Sequence, residues 1–282
     1  MRVNKVLSDW AYIIPVLAVI TTIFILPLFF AFWVSLHYKP LGLPPVFIGL
    51  ENYVNLFNSP ILYTTLLNTF VYAFSAVFIK TLIGLGVALL LNKNFRGRGI
   101  MRGLAITPWA LPAFAVCVMF WFGYDHRGLF NRILKGLGLS PIHWLGFDYA
   151  MPSVILVNVW KGWPFFFLGL LAGLQAISTE LYEAAEIDGA SVFQKFRYIT
   201  IPSLKPVFLI VCMLSLMWTM GDFTVIYMMT AGGPIDKTLT VPMASYKIAF
   251  LSEVNIPLAS AYCIVILPVY LGLIYILMKR LR

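Results

Sequence analysis

Ala11-Tyr-Ile-Ile-Pro-Val-Leu-Ala-Val-Ile-Thr-Thr-Ile-Phe-Ile-Leu-Pro-Leu-Phe-Phe-Ala-Phe-Trp-Val-Ser-Leu36 contains no Asp, Glu, Lys, Arg or His. About 20 apolar residues in a helix cross a hydrocarbon core of about 30 Å, so this run is long enough to span a bilayer. It is too long for the apolar region of a cleavable signal peptide and lacks a small-residue cleavage site. The same criterion finds five more candidates along the chain: about 66–91, interrupted by Lys80; 104–123; about 151–172, containing Lys161; about 205–230, containing Asp222; and 258–278. The expected fold class is therefore all-α, a polytopic integral membrane protein with six transmembrane helices.

Composition agrees. Of 282 residues, 61% are hydrophobic and only 11% charged, and mean hydropathy is +0.90. A soluble domain carries about a quarter charged residues, and none of this size could hide so much apolar surface. A cytosolic enzyme, a disulfide scaffold and a disordered regulator are thereby excluded. Cys117, Cys212 and Cys263 stand singly in apolar runs and are expected to be small buried hydrophobes, with no disulfide and no metal site.

The formal charge of +9 is a topology signal before it is a sign of nucleic acid. With the N-terminus inside, the inner segments hold Arg2, Lys5, Lys93, Arg96, Arg98, Arg102, Lys195, Arg197, Lys205, Lys279, Arg280 and Arg282. The outer segments hold Lys39, Arg127, Arg132, Lys135, Lys237 and Lys247. Twelve against six places both termini in the cytoplasm, and no nucleic-acid partner is needed. Segments 37–65, 124–150 and 231–257 then face outside.

The longest inner loop, 173–204, is unusual. Four of the chain's 11 acidic residues, Glu180, Glu183, Glu186 and Asp188, fall within nine positions of it, on the side that should be positive. Good helix formers over 179–188 lead to Gly189, which permits a sharp turn. Ser191 and Gln194 then have the spacing of a capping box, Phe193 and Phe196 lie three apart, and Pro202 is expected to end the segment before span five. Small side chains at Ala184 and Ala185 let another backbone approach. By physics alone the loop reads as a solvated amphipathic segment or as a knob for a groove on a cytoplasmic partner.

Charges inside spans mark a pathway, a partner or a snorkelling position. Lys80 is expected to reach toward the cytoplasmic surface in a structural role. Lys161 lies 10 residues from the outer start of span four and Asp222 lies 8 from the outer end of span five. At about 1.5 Å per residue their depths differ by about 3 Å, close enough for the two to pair. Near them, Asn158, Trp160, Trp163 and Phe165 on span four and Ser215, Trp218 and Thr219 on span five mix hydrogen-bonding groups with rings. That mixture suits a sugar, whose hydroxyls need polar partners and whose ring faces pack on aromatics. It equally suits helix–helix adhesion and an interfacial aromatic belt.

Glu183-Ala-Ala185, three residues, Gly189, nine residues, then Ile199-Thr-Ile-Pro202 resembles the signature loop E-A-A-x3-G-x9-I-x-L-P of binding-protein-dependent ABC importer permeases. Only the Leu position departs, as Ile201. Gln175-Ala-Ile, Leu181-Tyr-Glu-Ala-Ala, Ile187-Asp-Gly-Ala and Gly232-Gly-Pro234 resemble the first permease subunit of the maltose-type carbohydrate branch. The likeness is close over about 151–240 and looser elsewhere, through the six-span layout and Glu51-Asn-Tyr53.

The resemblance implies a type I importer permease fold. Residues 1–65 would form an N-terminal span with its outer loop, and 66–282 the core. It implies a coupling helix near 183–196 that docks an ATPase, with Glu183, Ala184, Ala185, Asp188, Gly189, Phe193, Ile199 and Pro202 as its docking residues. It implies that Asn158, Lys161, Gly162, Phe165, Ser215, Trp218, Thr219 and Asp222 face a sugar pocket within the membrane. Thr219 replaces a familiar amide and Lys161 an apolar residue, which turns the expectation away from maltose itself. The lysine would favour an acidic or otherwise substituted sugar, or neutralise Asp222.

Implied partners are a second homologous permease, two ATP-binding subunits, an extracytoplasmic sugar-binding protein received by the outer loops, the sugar and membrane lipid. The location implied is a bacterial or archaeal plasma membrane. No cofactor is expected in this chain: it has no G-x-x-x-x-G-K-[ST], and Gly232-Gly-Pro-Ile-Asp-Lys-Thr238 lacks the glycine before its lysine. ATP and Mg would sit in the partner ATPase, and no catalytic residue is expected here. A glycerol-phosphate or polyol importer remains an alternative on the same scaffold. An ATP-independent secondary transporter would show internal repeats, which are not evident. An intramembrane enzyme would need a catalytic cluster at one depth, yet His37, His126 and His143 lie in outer loops and Asp222 is the sole acidic residue in a span.

Overall fold

The computed structural model describes residues 13–38, 44–252 and 254–281. Twelve helices follow one another among them: α1 (Ile13–Ser35), α2 (Glu51–Asn58), α3 (Pro60–Asn92), α4 (Arg98–Ala110), α5 (Ala113–Tyr124), α6 (Leu129–Gly136), α7 (Ala150–Gln175), α8 (Thr179–Ile187), α9 (Val192–Met220), α10 (Thr224–Met229), α11 (Val241–Leu251) and α12 (Ile256–Arg280). A two-residue hairpin, β1 (His37–Tyr38) antiparallel to β2 (Val46–Phe47), is the sole sheet among the described residues. Five helices, α1, α3, α7, α9 and α12, are long and apolar enough to cross a membrane, and the bent pair α4 with α5–α6 brings the number to six.

The third span is broken. Its two arms meet at 90° at Leu111–Pro112. Leu111 is extended, with ψ 141°, because the proline ring after it disfavours the helical basin. Two other spans meet a proline with a widened turn in place of a break. A π-helical turn at Thr21–Ile25 precedes Pro27, and another at Phe196–Thr200 precedes Pro202. In each, the N–H of the next residue reaches back five positions, Leu26 to Thr21 and Ile201 to Phe196. The widened turn moves away the carbonyl against which the proline ring would clash. Pro202 therefore does not end a segment as expected: α9 runs through it from Val192. The fifth span also stops sooner than expected, at Met220, with Asp222 in the break before α10.

The chain divides into two compact units, Met1–Leu62 with Ala244–Pro268, and Tyr63–Met243 with Val269–Arg282. In the first, the Ile256–Val265 part of α12 packs along α1 and α2. The Glu51-Asn-Tyr53 stretch acts as a clamp there. Asn52 Nδ2 donates to the carbonyls of Ser35 (2.8 Å) and His37 (3.0 Å), and the Tyr53 hydroxyl shares a 2.6 Å hydrogen bond with Ser35 Oγ. Cys263, expected to be buried, is exposed on α12. Cys212 is half-buried and Cys117 buried, and all three are free thiols. An exposed thiol on an apolar span meets no penalty when its surroundings are hydrocarbon.

In the second unit, Tyr72, Val116, Val154, Val157, Phe166, Phe167, Leu170, Met220 and Ile226 are fully buried or nearly so. Lipid offers no hydrophobic drive between helices, so close backbone approach holds them together. A Cβ on Gly84 of α3 would lie 2.4 Å from Phe166 Cβ, and one on Gly169 of α7 would lie 2.6 Å from Val211 on α9.

Candidate functional site: a charged intramembrane cavity and an exposed helical corner

All eight residues expected to face a pocket line one cavity of about 210 Å³ in the second unit. Asn158, Lys161, Gly162 and Phe165 come from α7, and Ser215, Trp218 and Thr219 from the last turns of α9. Asp222 comes from the break after α9. Lys80 of α3, Trp109 of α4, Ala113 of α5, and Thr224 and Val225 of α10 complete the lining. One wall is aromatic: Phe165 lies 6.2 Å from Trp109 and 5.0 Å from Trp218, centroid to centroid. Trp160 and Trp163 are not in the lining and pair instead with Phe120 and Phe167.

The opposite side is polar. Tyr72 Oη donates to Asp222 Oδ2 at 2.7 Å and Asn158 Nδ2 donates to the same oxygen at 2.8 Å. The Val225 N–H reaches Oδ1 at 3.3 Å, so the carboxylate also satisfies a donor in the first turn of α10, where negative charge is favoured. Lys161 Nζ donates to the Leu111 carbonyl at 3.1 Å, an acceptor orphaned where the third span breaks. The direct Lys161–Asp222 pair that their depths allow is not formed: within 4 Å, the ion pair among the described residues is Lys195–Glu186.

Lys80 is the residue that sequence reasoning misplaced. Rather than snorkelling to a surface it is only 3% exposed, and its Nζ donates to Thr219 Oγ1 at 3.1 Å. Gly162 makes the room, since a Cβ there would sit 2.6 Å from Lys80 Cε. Gly162→Ala is therefore expected to push Lys80 off Thr219. The clash falls on the far end of a flexible side chain and not on backbone, so the cost is expected at or below the low end of the range of about 1–3 kcal/mol typical of overpacking. A slightly lowered melting temperature of the purified protein with normal membrane insertion would register it. An unchanged melt would show that Lys80 has slack. Trp109 carried no sequence signal, because the 90° bend that brings it here lies within an unbroken apolar run.

At the other end of α9 lies the corner joining α8 to α9. Ser178 caps α8 through the Glu180 N–H, and Gly189 turns the chain at φ +74°. Ser191 and Gln194 form the expected reciprocal capping box. Tyr182 Oη shares a 2.9 Å hydrogen bond with Thr200 Oγ1, and Lys195 bridges the corner to Glu186, so the two arms are tied twice. Glu183, Ala184, Asp188, Gly189 and Pro202 are exposed, while Ala185 and Ile199 are partly covered. Ile187 (87%), Val192 (80%) and Phe193 (73%) project among the acids. Clustered apolar exposure of this kind marks an interaction surface.

Residues 80–282 match the family model described as binding-protein-dependent transport system inner membrane component. The chain belongs to this family. Family membership makes it a multi-pass inner-membrane component of a transport system rather than an enzyme. It is 37% identical to the trehalose/maltose transport system permease protein of Thermococcus litoralis, over 100% of this chain and 97% of the relative. It is 30% identical to the sn-glycerol-3-phosphate transport system permease protein of Pectobacterium atrosepticum, over 94% and 92%. Among solved structures, a bacterial alginate ABC transporter in complex with alginate pentasaccharide-bound periplasmic protein superposes with a TM-score of 0.82. That match has 20% identity, over 98% of this chain and 94% of the other. It establishes a shared permease fold.

Proposed function

We propose that the chain is the permease subunit of an ATP-driven importer that moves a sugar or sugar derivative by alternating access. The observation that carries this reading is one helix with two ends. α9 begins at the exposed corner and finishes, about 40 Å away at about 1.5 Å per residue, with Ser215, Trp218 and Thr219 in the cavity wall. An ATPase seated on Glu183–Phe193 would move the cavity wall through a rigid rod. Its closed and open forms must grip the corner unequally, since only differential contacts shift an equilibrium.

Aromatic faces beside hydroxyl and amide groups suit a sugar ring, and the trehalose/maltose relative supports that class. The rest of the machine would be a second permease, two ATP-binding subunits with their ATP and Mg, and an extracytoplasmic binding protein. The distribution of basic residues supports both termini on the ATPase side.

The test is reconstitution of the whole complex in proteoliposomes with labelled trehalose, maltose and glycerol 3-phosphate. Accumulation that requires both ATP and the binding protein is the expected result. Uptake that persists with inactivated ATPase subunits would replace this reading with secondary transport.

A further inference from the structure

The cavity holds three formal charges, and they do not pair off. Its carboxylate, Asp222, is engaged by three protein donors: Tyr72, Asn158 and the Val225 N–H. Its two amines, Lys80 and Lys161, each meet one neutral acceptor, Thr219 Oγ1 and the Leu111 carbonyl. Among the described residues, neither has a carboxylate oxygen within 4 Å. A protonated lysine has three N–H bonds to place, and a buried cation is costly unless paired and hydrogen-bonded.

The two amines also approach from different helices, α3 and α7, into one space beside the aromatic wall. A third feature points to a ligand with hydroxyls as well. Asn158 Oδ1 is buried and meets no hydrogen-bond donor among the described residues.

We infer that the transported sugar is acidic: Lys80 and Lys161 receive a carboxylate, sulfonate or phosphate group of the substrate, while its ring packs on Phe165 and Trp218. The inference rests on the importer reading and narrows its substrate class. Asp222 acts on Lys80 only through space and makes its direct contacts with Asn158 and Tyr72, so the anion that touches the lysines is supplied by the cargo. Gly162 takes part by giving Lys80 its place.

The test is ligand binding to the purified full complex in nanodiscs, using matched probes: glucose against glucuronate and glucose 6-phosphate, and galactose against galacturonate. The wild-type complex is expected to bind an acidic member at least about tenfold more tightly than its neutral counterpart, the factor 1.4 kcal/mol makes. Lys80→Met and Lys161→Met should each shrink that ratio toward one, and Lys161→Arg should keep it. Because a buried change at Lys80 risks misfolding, the half-exposed Lys161 pair of variants carries the decision by itself.

Equal or tighter binding of neutral members by the wild type, or acid preference surviving in the double Lys→Met variant, would overturn the inference. ATP-driven uptake of neutral sugars without acid preference would do the same while leaving the importer intact. Failure of every probe, acidic and neutral, to bind or accumulate would remove the sugar reading and this inference with it.

Discussion

A complex carrying Gly189→Pro is expected to insert and assemble normally but to lose at least about tenfold of its ATP-driven uptake. Gly189 sits at φ +74°, and its N–H donates to the Glu186 carbonyl at 3.0 Å. Proline fixes φ near −65° and has no N–H to give, so both properties are lost together. A residue forced out of its basin costs about 1–3 kcal/mol, and the chain relieves that by re-aiming α8 against α9. The corner is built to resist such a change, through Tyr182–Thr200 on one side and Lys195–Glu186 on the other. Re-aiming would break one of these ties and move Phe193 away from Glu183.

No Cβ contact lies within 4 Å of Gly189, so the variant creates no clash in the membrane core and the spans should be untouched. The measurement is uptake and ATPase rate in the same vesicles. Uncoupled transport with a persisting basal ATPase rate is the expected signature, and normal uptake at normal expression would refute the coupling role of the corner.

The second large effect is expected at Asp222. Replacement by Ala removes the shared acceptor of Tyr72, Asn158 and the Val225 N–H. Each buried donor left unpaired costs on the order of 1–3 kcal/mol, and the loss falls at the joint between α9 and α10. Asp222→Ala should therefore lower the melting temperature of the purified complex sharply and reduce its yield. Asp222→Asn keeps an acceptor oxygen and should fall between the two. Asp222→Ala melting like wild type would mean that water replaces the carboxylate, and its bracing role would be lost.

Much of this architecture is legible in the sequence because the bilayer imposes a coarse rule. A charge-free run such as Ala11–Leu36 has few structural options, and the corner announces itself through Gly189 and the Ser191–Gln194 box. The cavity face was reached by likeness of pattern, through Asn158 and Ser215 to Thr219, rather than by composition, which suited helix adhesion equally well. Lys80 was missed for a physical reason: linear position gives depth, and depth does not distinguish a side chain that snorkels from one that crosses to a neighbouring helix. Only the opposing Gly162 decides between them. The break at Leu111–Pro112 was hidden because proline inside a span is compatible with a bend, a widened turn or a rupture, and this chain shows a turn at Pro27 and Pro202 but a rupture at Pro112. The same ambiguity concealed that Lys161 answers a broken helix end and not Asp222.

The widened turn at Phe196–Thr200 has a consequence for phase. A π turn holds one residue more than the α turn it replaces, and each residue of an α-helix advances the azimuth by about 100°. Everything C-terminal to it on α9 is thus rotated by that angle relative to the corner. Were the helix regular, Ser215, Trp218 and Thr219 would sweep off the cavity and toward a different neighbour. The surplus residue works as an indexing tooth. It fixes which sector of α9 faces the cavity relative to the Glu183–Phe193 corner: removing one residue from this turn would close it to a regular α turn and keep the two ends in phase, whereas removing one from the helix beyond it would turn them apart by about 100°.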